Sequence, residues 1–447
     1  MASANIVAAA NAAVTFYGTD DTFTTVDADG VALTAGAATI VYIKVVAQDT
    51  TTTLYYAVTI NRAAATSSSD DSSGVSSTIT SASTEVTITN PDGTTSTISG
   101  TIQETTNAVT VKIDGSDFKE AAGGGNNSVT IETNLTTLQF DSQAAGYLST
   151  LANSKDISIS VTKVDTDTLS QELQDQIGGR PTYDFSLKAG SSKVSGFSGG
   201  TVSVSIPYTL KNGEDPNAIV IYYISESGSL ETMHGAYNEK TGKVDFVTSH
   251  FSAYCVGYNK AEFTDVAAGA WYSGAVTFLT ARGIVKGMGD EMFCPEGIVT
   301  RAQFVTMLAN LSGADLTLYK TSSFADVKTT DWYFGAVQWA CQNGIVMGYD
   351  GKFCPNGEIA RQDMAVILAR YALYAGFTLP ETSAEKAFTD SAEISAYASE
   401  AATAMQKSNI ISGRDDGSFD PKAPATRAEA AKMITVLARE MVLANAE

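Results

Sequence analysis

Arginine at the start of a helix is an unusual choice, and this sequence makes it three times. Arg301, Arg361 and Arg427 each stand six residues after the proline of a Phe-x-Pro phrase. Thr300-Arg301-Ala302-Gln303 and Thr426-Arg427-Ala428-Glu429 both fit a capping box, with Thr as N-cap and Gln or Glu at the third helical position. The box explains Thr and Glu but not the cation, which opposes the helix dipole. A guanidinium beside unpaired helix amides makes a site for an anion, and its fork suits a carboxylate. Internal bridges to Asp265, Asp326 or Asp390 are the structural alternative.

Each arginine belongs to a repeat. FTDV begins at Phe263, FADV at Phe324 and FTDS at Phe388, giving periods of 61 and 64 residues. An aromatic pair or its remnant follows: Trp271-Tyr272, Trp332-Tyr333, then Ala396-Tyr397. A small-residue helix then closes on GIVKG, GIVMG or NIISG, ending at Gly287, Gly348 and Gly413, before a turn delivers Phe-x-Pro. After the arginine, apolar residues fall at i, i+3, i+4 and i+7, as in Phe304, Met307, Leu308 and Leu311. Such a helix–loop–helix unit is too small to bury its stripe alone, so the three copies must pack together.

In order and spacing these phrases resemble S-layer homology repeats, the anchoring modules of bacterial cell-surface proteins. The resemblance covers about residues 263–440. It implies a pseudo-threefold helical bundle whose grooves bind secondary cell-wall polysaccharide, often through a pyruvate-ketal-bearing terminal sugar. By that resemblance Arg301, Arg361 and Arg427 would take the ketal carboxylate. Trp271 and Trp332 would pack on a sugar face or, alternatively, in the core. Asp265, Asp326 and Asp390 would accept hydroxyls or cap helices, and Gly287, Gly348 and Gly413 would let backbone approach the ligand. Two departures matter. Ala396 replaces Trp in the third repeat, which puts a groove depending on it in doubt, and Ala360 replaces the N-cap Thr in the second, weakening that helix start by about 1 kcal/mol.

The rest of the chain is acidic and β-patterned. Residues 1–259 hold 12 Lys and Arg against 27 Asp and Glu, and residues 260–447 hold 16 against 22, so the composition shifts near 260. A pI near 4.4 argues against nucleic acid as a partner and disfavours anionic membrane surfaces. VYIKVV and LYYAVTINR read as strands and resemble the end of a cadherin-like module. Asn90-Pro91-Asp92-Gly93 marks a hairpin, and one short helix is expected around Gln171–Ile177. The stretch from Val202 to Tyr258 resembles a β-rich module found before wall-anchoring repeats.

Several literal motifs carry less weight. Gly196-Phe197-Ser198-Gly199-Gly200 matches a nucleophile elbow, but a strand rather than a helix follows it. Asp415 to Asp420 is acidic without EF-hand spacing. The four Cys, Cys255, Cys294, Cys341 and Cys354, form no zinc pattern and read as buried, unpaired thiols. LPETS at 379–383 reads as a linker turn. No signal peptide or membrane span is visible.

The expected architecture is multidomain: β-rich sandwich-type modules N-terminally and an all-α pseudo-threefold bundle C-terminally. The expected boundaries are 1–64 for the cadherin-like module, 65–78 for a Ser-rich linker, 79–259 for a β-rich surface module, then repeats at 260–318, 319–383 and 384–447. The expected function is non-enzymatic: a secreted protein held to the bacterial wall or S-layer by secondary cell-wall polysaccharide, without cofactor or metal. A carbohydrate-acting enzyme or adhesin in 79–258, and a self-assembling lattice protein that contacts its own copies, stand as alternatives.

Overall fold

Alternating apolar residues from 80 to 258 form strands that join edge to edge in one sheet. The computed structural model describes residues 13–16, 38–46, 53–61, 80–122, 126–153 and 155–443. Three of its strands precede the sheet: β1 (Ala13–Phe16), β2 (Ala38–Val46) and β3 (Thr53–Asn61), antiparallel in that order. β2 and β3 hold the two strand phrases, while most of the expected cadherin-like module and the Ser-rich linker lie outside the described residues. Residues 77–447 form one compact unit.

In that unit β4 (Thr80–Thr89), β5 (Thr95–Glu104), β6 (Ala108–Ile113), β7 (Ser128–Glu132), β8 (Thr137–Phe140), β9 (Ile157–Lys163) and β10 (Thr182–Ala189) are the first strands. β11 (Ser192–Lys193), β12 (Val202–Pro207), β13 (Ile219–Ile224), β14 (Leu230–Met233), β15 (Gly235–Asn238), β16 (Lys243–Thr248) and β17 (Ala253–Tyr258) complete them. The antiparallel order runs β14-β13-β17-β10-β9-β6-β5-β4-β7-β8-β12-β16-β15, with β11 paired to β10. The 90–93 turn joins β4 to β5 in register Thr89 with Thr95, and the Gly93 amide donates to the Asn90 carbonyl at 2.9 Å.

This corrects the expected fold class. A sandwich would have two stacked sheets, whereas here β14 and β15, the opposite ends of one sheet, are separated in sequence by His234 alone. Two peptide units span at most about 7 Å, so the ends must meet and the sheet curls into a near-barrel. Alternation with period two is the same in either architecture, and only the pairing distinguishes them. The inward face buries Val86, Val111, Ile159, Phe185, Val204 and Phe246. Helices α1 (Gly115–Ala122) and α2 (Ser142–Ala152) add Phe118, Ala145 and Leu148 to the same core. α3 (Gln171–Ile177) is the short helix expected there.

The Gly-Phe-Ser-Gly-Gly phrase is a turn leading into β12. Ser198 has φ +55° and the Gly200 amide donates to the Phe197 carbonyl at 3.0 Å. A Cβ on Gly200 would stand 2.2 Å from the Ala144 amide nitrogen, so glycine is needed where the turn meets the start of α2. Asp141 fastens both, accepting from the Ala144 and Thr201 amides at 2.7 Å each.

The repeats supply six helices: α4 (Ser273–Ala281), α5 (Arg301–Ser312), α6 (Phe334–Gln342), α7 (Arg361–Tyr374), α8 (Ser399–Lys407) and α9 (Arg427–Leu443). The stripes of α5, α7 and α9 share one core. The repeats are not purely helical, which is the second correction. The extended residues before α5, α7 and α9 form short β-bridges with one another. The Val299 amide donates to the Ala425 carbonyl, Ala425 to Ile359 and Ile359 to Val299, at 2.9, 2.9 and 3.0 Å. All three residues are fully buried, so a closed ring of hydrogen bonds marks the pseudo-threefold axis.

Arg282, just after α4, clasps the bundle to the sheet. Its guanidinium donates to the carbonyls of Gly235, Asn217, Ile219 and Phe278 and lies 3.5 Å from the Phe278 ring centroid. Arg439 approaches the same ring at 4.6 Å. Arg282 is buried, with no carboxylate among the described residues within ion-pair range, and burial followed by Arg439 pulls its pKa well below the ordinary value. Arg282→Met therefore removes five donors and orphans buried carbonyls, costing about 3 kcal/mol in urea unfolding of the full chain.

Next to this clasp, burial and then the charge of Arg282 push His234 down from 6.5 to about 4. Between those values the unfolded chain holds more protons, so stability falls as the pH drops from 6.5 towards 4, by up to about 3 kcal/mol. Melting curves across this window will show the slope, and His234→Gln will flatten it.

Candidate functional site

The motif aspartates organise the loops rather than pairing with the arginines. Asp265 accepts from the amides of Phe293 and Cys294 at 2.8 and 2.6 Å. Asp326 does the same for Phe353 and Cys354, both at 2.8 Å. Asp390 does so for Phe419 and Asp420 at 2.8 and 2.7 Å. Cys294, Cys354 and Asp420 all have φ near +57°, so each carboxylate holds a left-handed corner. Burial alone would raise the Asp326 pKa, but the Phe353 and Cys354 amides outweigh it and hold the carboxyl below its ordinary value.

Those loops carry the carbonyls that receive the arginines of the preceding repeat. Arg301 Nε donates to the Phe353 carbonyl at 3.0 Å, Arg361 Nε to Phe419 at 2.7 Å, and Arg427 Nε to Phe293 at 2.8 Å. The guanidinium carbons lie 5.0, 5.4 and 4.5 Å from the corresponding ring centroids. The first two amides of each helix are consumed in the same way: Arg301 and Ala302 donate to Gly357 and Pro355, and the other two repeats follow suit. At these two positions the helix N-termini offer no unpaired amides. The third amide is taken by Thr300 in α5 and Thr426 in α9, whereas Ala360 gives the Asp363 amide of α7 no such acceptor.

The guanidinium tips differ between repeats. Arg301 Nη1 has Asp363 at 4.0 Å, and Asp363 is engaged by the Tyr397 hydroxyl at 2.6 Å. Burial and then that bond push the Tyr397 phenol up to about 12. Arg361 Nη1 is bonded directly to Glu429, which Arg414 also approaches at 3.7 Å. Arg427 Nη2 donates to the Lys286 carbonyl at 3.0 Å, and no carboxylate among the described residues lies within ion-pair distance of it. Burial lowers the pKa of both Arg361 and Arg427, with Glu429 opposing the shift in Arg361.

Around Arg301 a cleft of about 470 Å³ opens between repeats, lined by Tyr349, Lys352, Asp363, Arg370 and Tyr397 among others. It holds three cations against one carboxylate, with two exposed tyrosines beside them. Tyr349, Lys352, Asp363, Arg370, Tyr397 and Glu429 were not on the list drawn from sequence. Aligning the repeats shows Gln303, Asp363 and Glu429 as equivalents, yet the local capping role of Gln303 and Glu429 hides the contact made to another repeat.

The remaining predicted positions fall as follows. Trp271 and Trp332 are 59% and 67% exposed, so neither is a core residue. Gly348 lines the cleft, but a Cβ there would stand 2.3 Å from Phe324 Cε1, and Gly287 and Gly413 meet Phe263 and Phe388 similarly. The motif phenylalanine therefore demands these glycines. The capping boxes form at Thr300 and Thr426, while Ala360 caps nothing. In the acidic loop Asp416 fixes a turn through Ser418 and Asp420 pairs with Arg414 at 2.9 Å. No metal-binding cluster of His, Cys, Asp and Glu exists among the described residues. The four cysteines are free, and only Cys255 is buried.

A sequence-family model described as the S-layer homology domain matches residues 262–305, 323–365 and 387–431. The chain carries three S-layer homology domains. Among curated relatives, an amylopullulanase of Thermoanaerobacterium thermosulfurigenes is 30% identical over 66% of this chain and 16% of its own length. The exoglucanase XynX of Acetivibrio thermocellus is 35% identical over 37% of the chain and 15% of its length. The S-layer protein Sap of Bacillus anthracis is 32% identical over 38% and 20% respectively. The chain thus spans about a fifth or less of each of these proteins. The amylopullulanase match is longer than the S-layer homology domains together, so it extends into the β-rich region.

The Asp326 corner can be tested directly. Asp326→Ala leaves the Phe353 and Cys354 amides without their acceptor and is expected to cost about 2 kcal/mol in urea unfolding. An unchanged midpoint would show that the loop does not depend on the carboxylate.

Proposed function

We propose that this chain is a surface protein held non-covalently to the bacterial cell wall by its three S-layer homology domains. The grooves between them would bind an acidic secondary cell-wall polysaccharide, through a carboxylate such as a pyruvate ketal on its terminal sugar. The observation that carries this reading is the cleft at Arg301, where Arg301, Lys352 and Arg370 converge with Tyr349 and Tyr397 at its rim. A guanidinium fixed through Nε, with Nη2 also donating to a loop carbonyl, still presents Nη1 to a carboxylate, and tyrosine faces suit the apolar side of a sugar ring.

The groove at Arg427 supports the same chemistry, since no internal carboxylate neutralises its guanidinium among the described residues. In the cyclic arrangement Tyr397 borders the start of α7, so its repeat equivalent Tyr333, which is buried beside the exposed Trp332, holds that place at the start of α5 next to the Arg427 groove. Two grooves on one rigid bundle would add avidity to contacts that are individually weak. No helix among the described residues is long and apolar enough to cross a membrane.

A second reading, that residues 79–258 act on carbohydrate, is favoured by the extension of the amylopullulanase match into the β-rich region. Release of reducing ends from pullulan by the full chain would support it.

The anchoring reading is tested by sedimentation with purified cell walls before and after mild acid removal of ketals. Arg301→Ala and Arg427→Ala should each weaken binding about 10-fold and together abolish it, at roughly 1.5–3 kcal/mol for each charged hydrogen bond. Binding that survives ketal removal undiminished would reject the carboxylate mechanism.

A further inference from the structure

The third S-layer homology domain differs from the others at three positions that meet in space. Where the first two have Met288 and Tyr349 after the motif glycine, it has Arg414. Where they have Cys294 and Cys354 after the motif phenylalanine, it has Asp420. At the third position of the arginine helix, Gln303 and Asp363 are replaced by Glu429. Arg414 pairs with Asp420 at 2.9 Å and lies 3.7 Å from Glu429, whose Oε1 is bonded to Arg361 Nη1.

Two cations and two carboxylates therefore close on themselves in the Arg361 groove. The side chains of Arg361 and Glu429 are only 8% and 14% exposed, so the pair is largely withdrawn from solvent. A ligand carboxylate arriving there would meet a guanidinium whose Nη1 is already bonded to the protein's own carboxylate. It would have to displace Glu429 and leave that charge poorly solvated. At Arg301 the corresponding Asp363 stands off at 4.0 Å and is shared with Tyr397, and at Arg427 the corresponding residue is the neutral Gln303.

We propose that Glu429 decides which grooves accept an anionic sugar, filling the Arg361 groove with the protein's own carboxylate and leaving those at Arg301 and Arg427 open. This rests on the reading that the motif arginines bind a wall-polysaccharide carboxylate, and it adds a specificity-determining residue to it. Two grooves are active in the native chain, and the third is latent.

The chain itself supplies a control for the test. Glu429 also accepts the Thr426 amide at 2.9 Å, the capping-box bond that Gln303 makes to Thr300 at the same distance. Glu429→Gln therefore keeps the cap through its amide oxygen and replaces the carboxylate oxygen that Arg361 binds with an NH2 group. Calorimetric titration of the full chain with a methyl hexoside bearing a 4,6-linked pyruvate ketal should count two sites in the native protein and three in Glu429→Gln. Arg361→Gln should leave the native count at two and return the Glu429→Gln count from three to two, with folding of each variant checked by thermal unfolding.

A folded Glu429→Gln protein that still counts two sites would overturn the proposal. So would a native protein that loses a site on Arg361→Gln. A native protein that binds the ketal but keeps both sites in the Arg301→Ala, Arg427→Ala double variant would remove the arginine reading itself. That outcome is separable from failure of the Glu429 switch, because it appears with Glu429 intact.

Discussion

A guanidinium inserted into the loop of the next repeat is the contact on which the C-terminal half depends. Each motif arginine satisfies a loop carbonyl of the next repeat, while other loop carbonyls satisfy the helix amides in return. The exchange is cyclic, first to second, second to third, third to first, and it closes only because there are three copies. At its centre the Val299, Ile359 and Ala425 ring pairs three amides and three carbonyls on a buried axis. A single copy would leave all of these groups unpaired and its apolar stripe exposed.

The same economy explains why the grooves are unequal. An arginine whose Nε is fixed structurally still presents Nη1, and the residue facing Nη1 of Arg301 and Arg361 comes from a neighbouring helix. Gln303 and Glu429 are interchangeable as helix-capping acceptors but not as neighbours of a cation. Local capping thus tolerates a variation that cross-repeat electrostatics does not ignore. The Arg282 clasp extends the principle to the sheet, where backbone carbonyls rather than carboxylates hold a buried charge.

Much of the repeat was legible in the linear sequence. Phe263, Phe324 and Phe388, the glycines, the prolines and the arginines recur at nearly constant spacing, and the capping boxes at Thr300 and Thr426 formed as their residue types require. The motif aspartates were harder to read. A carboxylate that holds two amides about 28 residues away has no local pattern to announce it. Helices α1 and α2 were hidden for another reason: at 8 and 11 residues between strands they are too short for a repeating stripe, and only Asp114 and Asp141 at their starts signalled caps.

The sequence by itself determined the repeat number, the helix starts, the stripes that must be buried and the residues able to bind an anion. It could do so because these follow from local periodicity and side-chain chemistry. Only the tertiary structure decided that the strands of 80–258 form one curled sheet, since register and closure are set by pairings far apart in the chain and by the single residue His234 between its two ends. It also decided that Asp265, Asp326 and Asp390 hold loops while Glu429 meets Arg361. Those assignments depend on which repeat each side chain reaches, and that is fixed only when the ring of three closes.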